Sequence, residues 1–261
     1  FSREHGLQCN DCHAGFPPLN DFGTEFKQRG FRLPGKDGKL IWEQATLPLS
    51  MLGLAQYINQ READPVTKSR TSLKSNFELV EIALIGAGTA ATKIGYFIEA
   101  VAPVSADEPF LVELGWAQYS DLLPAASLNL KAGKMLNEFF YLSQMRRLAL
   151  QPYASPVTFN VTGVELNGQW AGFRYAAGAV NDERQSSQAS PSNTPAVNLN
   201  KSALGFYGWA TYSFAEQVFG IRYINTKSNS DNPSPVIDGR TRQQLDANLL
   251  LRYGPAELIL G

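Results

Sequence analysis

The sequence predicts an all-β fold, an antiparallel transmembrane β-barrel, preceded by a short α-helical segment at the N-terminus. From residue 46 onward, segments of roughly ten residues are rich in Val, Ile, Tyr, Phe, Trp and Gly, which is typical of strands. No long helical pattern interrupts them. We place ten strands and a final stub at 46–59, 76–87, 92–103, 110–122, 127–136, 159–166, 170–181, 203–214, 217–226, 243–253 and from 256 onward.

Several of these segments alternate strictly between apolar and small or polar residues. Phe219, Ile221 and Tyr223 point to one side of an extended chain, and Gly220 and Arg222 point to the other. In a transmembrane barrel the apolar side faces lipid and the polar side faces the lumen. On this pattern the predicted lumen face carries the charged residues Lys93, Glu99, Glu113, Arg174, Arg222 and Arg252.

The connections between strands alternate between tight turns and long polar loops. Short turns are predicted near 88–90, 124–126, 167–168, 215–216 and 254–255, and long connections at 60–75, 104–109, 137–158, 182–202 and 227–242. Outer-membrane barrels have this rhythm, with short periplasmic turns and long outer loops. A β-sandwich is the alternative fold. Because single-chain bacterial barrels usually have an even number of strands, we expect this barrel to be truncated at the C-terminus.

Residues 1–45 differ from the barrel segment at 46–261 and form a separate N-terminal segment. Leu19, Phe22 and Phe26 are spaced three and four apart, which predicts a short amphipathic helix. Gly30 suits the end of that helix.

Both cysteines of the chain lie in a single Cys-Asn-Asp-Cys-His run at residues 9–13. This spacing is typical of c-type haem attachment, in which two thiols bind the porphyrin and the histidine ligates the iron. A zinc cluster or a redox-active cysteine pair is the alternative. Zinc requires a fourth ligand of matching type, and the only other histidine is His5. We therefore predict one covalent haem c held by Cys9, Cys12 and His13, with His13 as the proximal ligand, and a role in electron transfer.

The sixth iron ligand is left open by the sequence. His5 precedes Cys9 by four residues and is one distal candidate; Met51, in the first predicted strand, is the other main one. Met135 and Met145 complete the set, unless the position is vacant. The choice matters because methionine ligation raises the iron potential relative to histidine.

The sequence also indicates the cellular compartment of the protein and excludes one class of partner. Haem c is attached after export, so the haem run indicates the periplasm or cell envelope. The N-terminus lacks a basic region followed by an apolar one, as expected of a processed chain. The sequence contains no uninterrupted apolar run of about 18 residues, so it does not predict a transmembrane helix. With 23 basic and 24 acidic residues and no polybasic block, nucleic acid is not an expected partner.

The residues at 6–13, followed by 16–23 and 26–31, resemble the N-terminal haem domain of the monohaem cytochrome–porin fusions of bacterial outer membranes. Some members of that family are proposed iron oxidases. The resemblance implies that a small cytochrome segment plugs a barrel and lets electrons cross the outer membrane. It also implies that Cys9, Cys12 and His13 are the haem-binding residues.

Together these observations predict electron transfer between extracellular Fe(II) or Fe(III) and a periplasmic cytochrome. The barrel would contact outer-membrane lipid, with the haem segment on the periplasmic side because the first long connection follows the first strand. An iron:cytochrome oxidoreductase and a simple electron carrier both fit. Two other functions stay open: a passive porin with a structural or sensory haem plug, and a soluble periplasmic haem-bearing β-sandwich. Charged lumen residues are candidate partners of the haem propionates.

Overall fold

The fold consists of a small helical N-terminal segment and one extended sheet. A computed structural model describes residues 1–13, 19–33, 36, 38–44, 48–63, 70–102, 110–123, 128–136, 160–182, 204–215, 217–227, 241–253 and 256–260. Three helices, α1 (Ser2–His5), α2 (Cys9–Cys12) and α3 (Asp21–Gln28), are followed by a 3₁₀ turn at Ile41–Glu43. None of the helices in these ranges has the length and apolarity needed to cross a membrane.

Eleven strands follow and form one antiparallel sheet in which each strand pairs with the next along the chain. The strands are β1 (Leu49–Ala63), β2 (Arg70–Ala91), β3 (Ile94–Ala102), β4 (Leu111–Leu123), β5 (Leu128–Leu136), β6 (Asn160–Trp170), β7 (Phe173–Asp182), β8 (Leu204–Phe214), β9 (Gln217–Lys227), β10 (Thr241–Tyr253) and β11 (Ala256–Leu260). The all-β prediction is confirmed. Among the described strands, β1 and β11 form the two edges and do not pair with each other.

The hairpin between β6 and β7 turns later than the sequence predicts. The Asn167-Gly168 pair belongs to β6, and the turn lies at Ala171 and Gly172. Their φ angles, 48° and 84°, are both positive, as a two-residue hairpin turn of type I′ requires. Asn167 is unavailable for a turn because its side chain is buried in hydrogen bonds to neighbouring strands.

The hairpin between β2 and β3 also differs from the prediction. The segment 88–90 continues β2, where Gly88 pairs with Tyr96, and the turn lies at Thr92 and Lys93. Lys93, predicted on the lumen face, is therefore a turn residue with a φ of 62°. The connection predicted at 60–75 is shorter in the structure, because residues 60–63 continue β1 and pair with residues 70–74 of β2. Most of the other predicted long connections lie outside the described residues.

The helical segment lies against one face of the sheet, which we call the inner face. Polar contacts join α3 and the residues just after it to β4, β6, β7 and β10. In a flat sheet β4 and β10 would lie about 29 Å apart. Helix α3 is only about 12 Å long. The sheet therefore curves around the N-terminal segment.

The two faces of the sheet differ in the side chains they carry. The inner face buries polar residues among its apolar ones, including Gln118, Asn129, Glu165, Asn167 and Arg222, each at most 3% exposed. The outer face exposes large apolar side chains, among them Leu84, Ile98, Tyr119, Leu130, Val164, Leu166, Phe206, Phe219, Ile221, Tyr223 and Leu245. This distribution follows the alternation seen in the sequence.

Candidate haem site

The two cysteines lie on α2, a single helical turn. Its ends are closed by hydrogen bonds from the Gln8 N–H to Asp11 Oδ2 at 2.8 Å and from the His13 N–H to the Cys9 carbonyl at 3.0 Å. Residues three apart on a helix share a face, so Cys9 and Cys12 lie on the same side of this turn. Neither forms a disulfide. The turn thus offers two thiols on one side, immediately before His13.

The thiols differ in their surroundings. Cys9 is exposed, whereas Cys12 is partly buried. Burial raises the pKa of the Cys12 thiol, and the carboxylate of Asp11 raises it further. Both effects favour the protonated form of the Cys12 thiol.

Asn20 and Gly23 attach α2 to α3. Asn20 Oδ1 accepts from the Gly23 N–H at 2.8 Å and so caps α3, while its amide Nδ2 donates to the Asp11 carbonyl at 2.9 Å. A Cβ added at Gly23 would overlap the Cys12 carbonyl. Neither residue was singled out from the sequence. The available clues were an asparagine directly before a helical pattern and a glycine inside it.

Helix α3 turns an aromatic face toward the N-terminus. Phe26 is 4% exposed, stacks on Phe22 at 6.3 Å between ring centroids, and meets the His5 ring edge-on at 5.4 Å. Phe22 is 38% exposed. Phe22 and Phe26 thus form an aromatic pair on α3, next to His5.

His5 is the histidine whose environment the sequence could not reveal. Its side chain is 7% exposed, and its Nε2 has no hydrogen-bond partner. The nearest carboxylate oxygen, Glu4 Oε2, lies 4.0 Å away, which is too far for a hydrogen bond. Burial lowers the pKa of His5 against the opposing effect of Glu4. The imidazole is therefore neutral at physiological pH.

The methionines proposed as ligands are placed differently. Met51 is 75% exposed and pairs with Leu84, which puts it on the outer face, away from the N-terminal segment. Met135 is 1% exposed and belongs to the inner-face cluster with Val161 and Ile224. Met145 lies outside the described residues. The structure thus does not bring Met51 to the cysteine turn.

Hydrogen bonds join α3 to the inner face at the short-turn ends of the strands. Gln28 Nε2 donates to the Gly168 carbonyl at 2.8 Å, and Gln118 Nε2 donates to the Gln28 carbonyl at 2.8 Å. Glu25 Oε1 accepts from Gln169 Nε2 at 2.8 Å. Burial by itself raises the pKa of Glu25, but the hydrogen bonds from Gln169 and Arg29 outweigh it and leave the pKa below its ordinary value.

Two of the predicted lumen arginines reach the same segment. Arg174 of β7 and Arg252 of β10 lie 3.7 and 3.6 Å from the carboxylate of Asp21, at the start of α3. Arg32 pairs with Asp121 at 3.1 Å in the same way. Arg222, in contrast, pairs with Asp246 at 2.8 Å within the sheet. The arginines of the inner face therefore divide between holding the N-terminal segment and stabilising the sheet.

The predicted lumen carboxylates Glu99 and Glu113 form a separate group. Together with Glu81 of β2 they bring one oxygen each to within 4.8 Å of one another. Sequence reasoning missed Glu81, because its place beside the other two depends on the pairing of β2 with β3.

The site thus combines two thiols, an adjacent histidine, a buried second histidine and an aromatic helix face. No family model matches the chain, and a search of curated proteins gives no significant match. These groups fit a covalently attached haem: the thiols share one face, and the buried His5 nitrogen lacks a partner.

Proposed function

We propose that this chain binds one c-type haem through Cys9, Cys12 and His13 and transfers single electrons across the bacterial outer membrane. The donor or acceptor outside is Fe(II) or Fe(III), and the partner inside is a periplasmic cytochrome. The observation that carries the proposal is the Cys-x-x-Cys-His turn, attached to α3, which is itself held on the inner face of a sheet whose outer face is apolar.

Each residue of the turn has a defined task. The Cys9 and Cys12 thiols would hold the haem through thioether links to its two vinyl groups, and an imidazole nitrogen of His13 would ligate the iron. The bound haem supplies a centre that gains and loses one electron. Asn20 and Gly23 keep the turn on α3, where Phe22 and Phe26 stack on each other.

The sheet is proposed to form the wall of an outer-membrane barrel. Its outer face carries large apolar side chains such as Leu166 and Phe206, which lipid would cover. Its inner face carries buried polar residues among apolar ones, and the helical segment contacts it at the ends of the strands joined by short turns. Because short turns are periplasmic in such barrels, the haem segment would lie at the periplasmic mouth.

A haem-staining and iron-reduction experiment tests this proposal. The chain is produced in a periplasm equipped for haem attachment, together with a Cys9→Ala/Cys12→Ala variant and a Met51→Ala control. We expect a haem-stained band that survives denaturing electrophoresis in the wild type and the control but is absent from the double variant. Ferrous iron added to the ferric protein should reduce the haem, leaving ferric iron as the product.

Three outcomes would contradict parts of the proposal. A wild-type chain that carries zinc and no covalent haem would overturn the cofactor assignment. A haem that ferrous iron cannot reduce would leave only a structural or sensory plug. Recovery of the haem protein from the periplasm without detergent would show a soluble protein instead of a barrel.

A further inference from the structure

We propose that His5 Nε2 is the sixth ligand of the haem iron, in addition to His13, a role that rests on the haem attachment proposed above. His5 Nε2 is buried without a hydrogen-bond partner, in a side chain that is only 7% exposed. Buried polar atoms are nearly always satisfied, so one that is not requires an explanation such as an absent partner.

The position of His5 relative to the cysteine turn supports this role. Helix α3 touches the turn through Gly23, which packs on the Cys12 carbonyl, and touches His5 through Phe26. Gly23 and Phe26 are three residues apart on α3 and therefore neighbours on one helix face. His5 and the haem-attachment turn thus lie side by side along the same face of α3.

The chain turns at Gly6, directly after His5 and before the cysteine turn. Gly6 has a φ of 69°, in the left-handed region, and a Cβ added there would meet nothing within 4 Å. This open glycine gives a turn directly after His5 that leaves the imidazole on the side of Phe26. Phe1 stacks beside His5 at 6.5 Å between ring centroids and shields it from solvent on another side.

The methionines are less suitable ligands. Met51 lies on the outer face with 75% of its surface exposed. Met135 is packed in the inner-face cluster. Asn129 marks the short-turn end of β5, where α3 is held, and Met135 lies roughly 20 Å further along that strand. A second explanation for His5, an ion pair with Glu4, is weakened by their 4.0 Å separation.

Spectroscopy of the purified holoprotein tests the assignment. The ferric wild type should give a low-spin electron paramagnetic resonance signal with two nitrogen ligands, and its ferrous form should bind carbon monoxide slowly. In His5→Ala the low-spin signal should be lost, carbon monoxide should bind at once, and added imidazole should restore the low-spin state. His5→Met should keep six ligands, gain a sulfur-to-iron charge-transfer band and show a raised potential.

Matched variants and haem staining separate the possible failures. Met51→Ala, Met135→Leu and Glu4→Gln should all retain the wild-type spectra. A sulfur-to-iron band in the wild type, or an unchanged low-spin spectrum in His5→Ala, would overturn the role of His5 while the stained haem band keeps the proposed function intact. A wild type that carries no covalent haem would instead overturn the proposed function.

Discussion

The inner and outer faces of the sheet arise from the same two-residue alternation, yet they depend on different partners. On the inner face Glu165 is 3% exposed and forms an ion pair with Lys131 at 2.6 Å. Its carboxylate also accepts hydrogen bonds from Asn167 Nδ2 at 2.9 Å and from the Tyr207 hydroxyl. On the outer face the neighbouring Val164 and Leu166 are 48% and 45% exposed. Glu165 thus finds its partners within the chain, whereas the outer face leaves apolar surface to be covered by its surroundings.

The largest expected effect comes from breaking the inner-face ion pair. Lys131→Met would leave the Glu165 carboxylate buried without its cation, and losing one partner of a buried pair costs about 3–5 kcal/mol. Because Tyr207 and Asn167 still donate to Glu165, we expect a loss of about 3 kcal/mol in the free energy of unfolding. Denaturant unfolding in detergent micelles measures it.

The adjacent outer-face residue provides the control for that measurement. Leu130→Met conserves volume at a side chain that is 40% exposed, so its effect should stay below about 1.5 kcal/mol. Equal losses in Lys131→Met and Leu130→Met would show that the two faces do not differ as described.

An intermediate effect is expected where the N-terminal segment approaches the inner face most closely. A Cβ added at Gly95 of β3 would overlap the carbonyl of Gly30, just after α3. Gly95→Val should therefore displace this segment and destabilise the protein by about 1–3 kcal/mol, the usual range for overpacking. Proteolysis of the N-terminal segment should accelerate in parallel.

Gly53 of β1 offers the matched substitution on the other face. It pairs with Ile82, and a Cβ added there would meet nothing within 4 Å. Gly53→Val should leave both stability and proteolysis near the wild-type values. If Gly95→Val behaves the same way, the segment does not rest on the inner face at β3.

The alternation of the two faces was predictable because it depends only on a period of two within each strand. Phe219, Ile221 and Tyr223 required no knowledge of their neighbours to be placed together. The turn at Ala171 and Gly172 was not predictable, because Asn167-Gly168 is the stronger local turn sequence. Only the pairing with β5 and β4 shows that Asn167 is needed inside the sheet.

The candidate site likewise contains residues that the local sequence indicates and residues whose environment only the structure reveals. Cys9, Cys12 and His13 are adjacent in sequence, so their spacing alone indicates their use. The burial of His5 depends on Phe26, which is far along the chain, and the exposure of Met51 depends on the face its strand presents. Tertiary contacts of this kind leave no mark in local sequence.

The smallest expected effect concerns Glu25, which joins α3 to the inner face through Gln169. Its pKa is below the ordinary value in the folded protein, so its contribution to stability is complete above the unfolded value of about 4.3. The contribution is lost as the pH falls through the lower folded value. Hydrogen exchange of the α3 amides, followed from pH 6 downward, should therefore show loosening of α3 in acid.

Two variants decide whether Glu25 is the cause of that loosening. Glu25→Gln keeps a side-chain oxygen that can accept from Gln169 but cannot titrate, so the acid-dependent part of the exchange should largely disappear. Glu43→Gln removes a carboxylate whose hydrogen bond is local to the 3₁₀ turn, so the pH dependence of α3 should persist. If α3 still loosens in acid in Glu25→Gln, a group other than Glu25 is the cause.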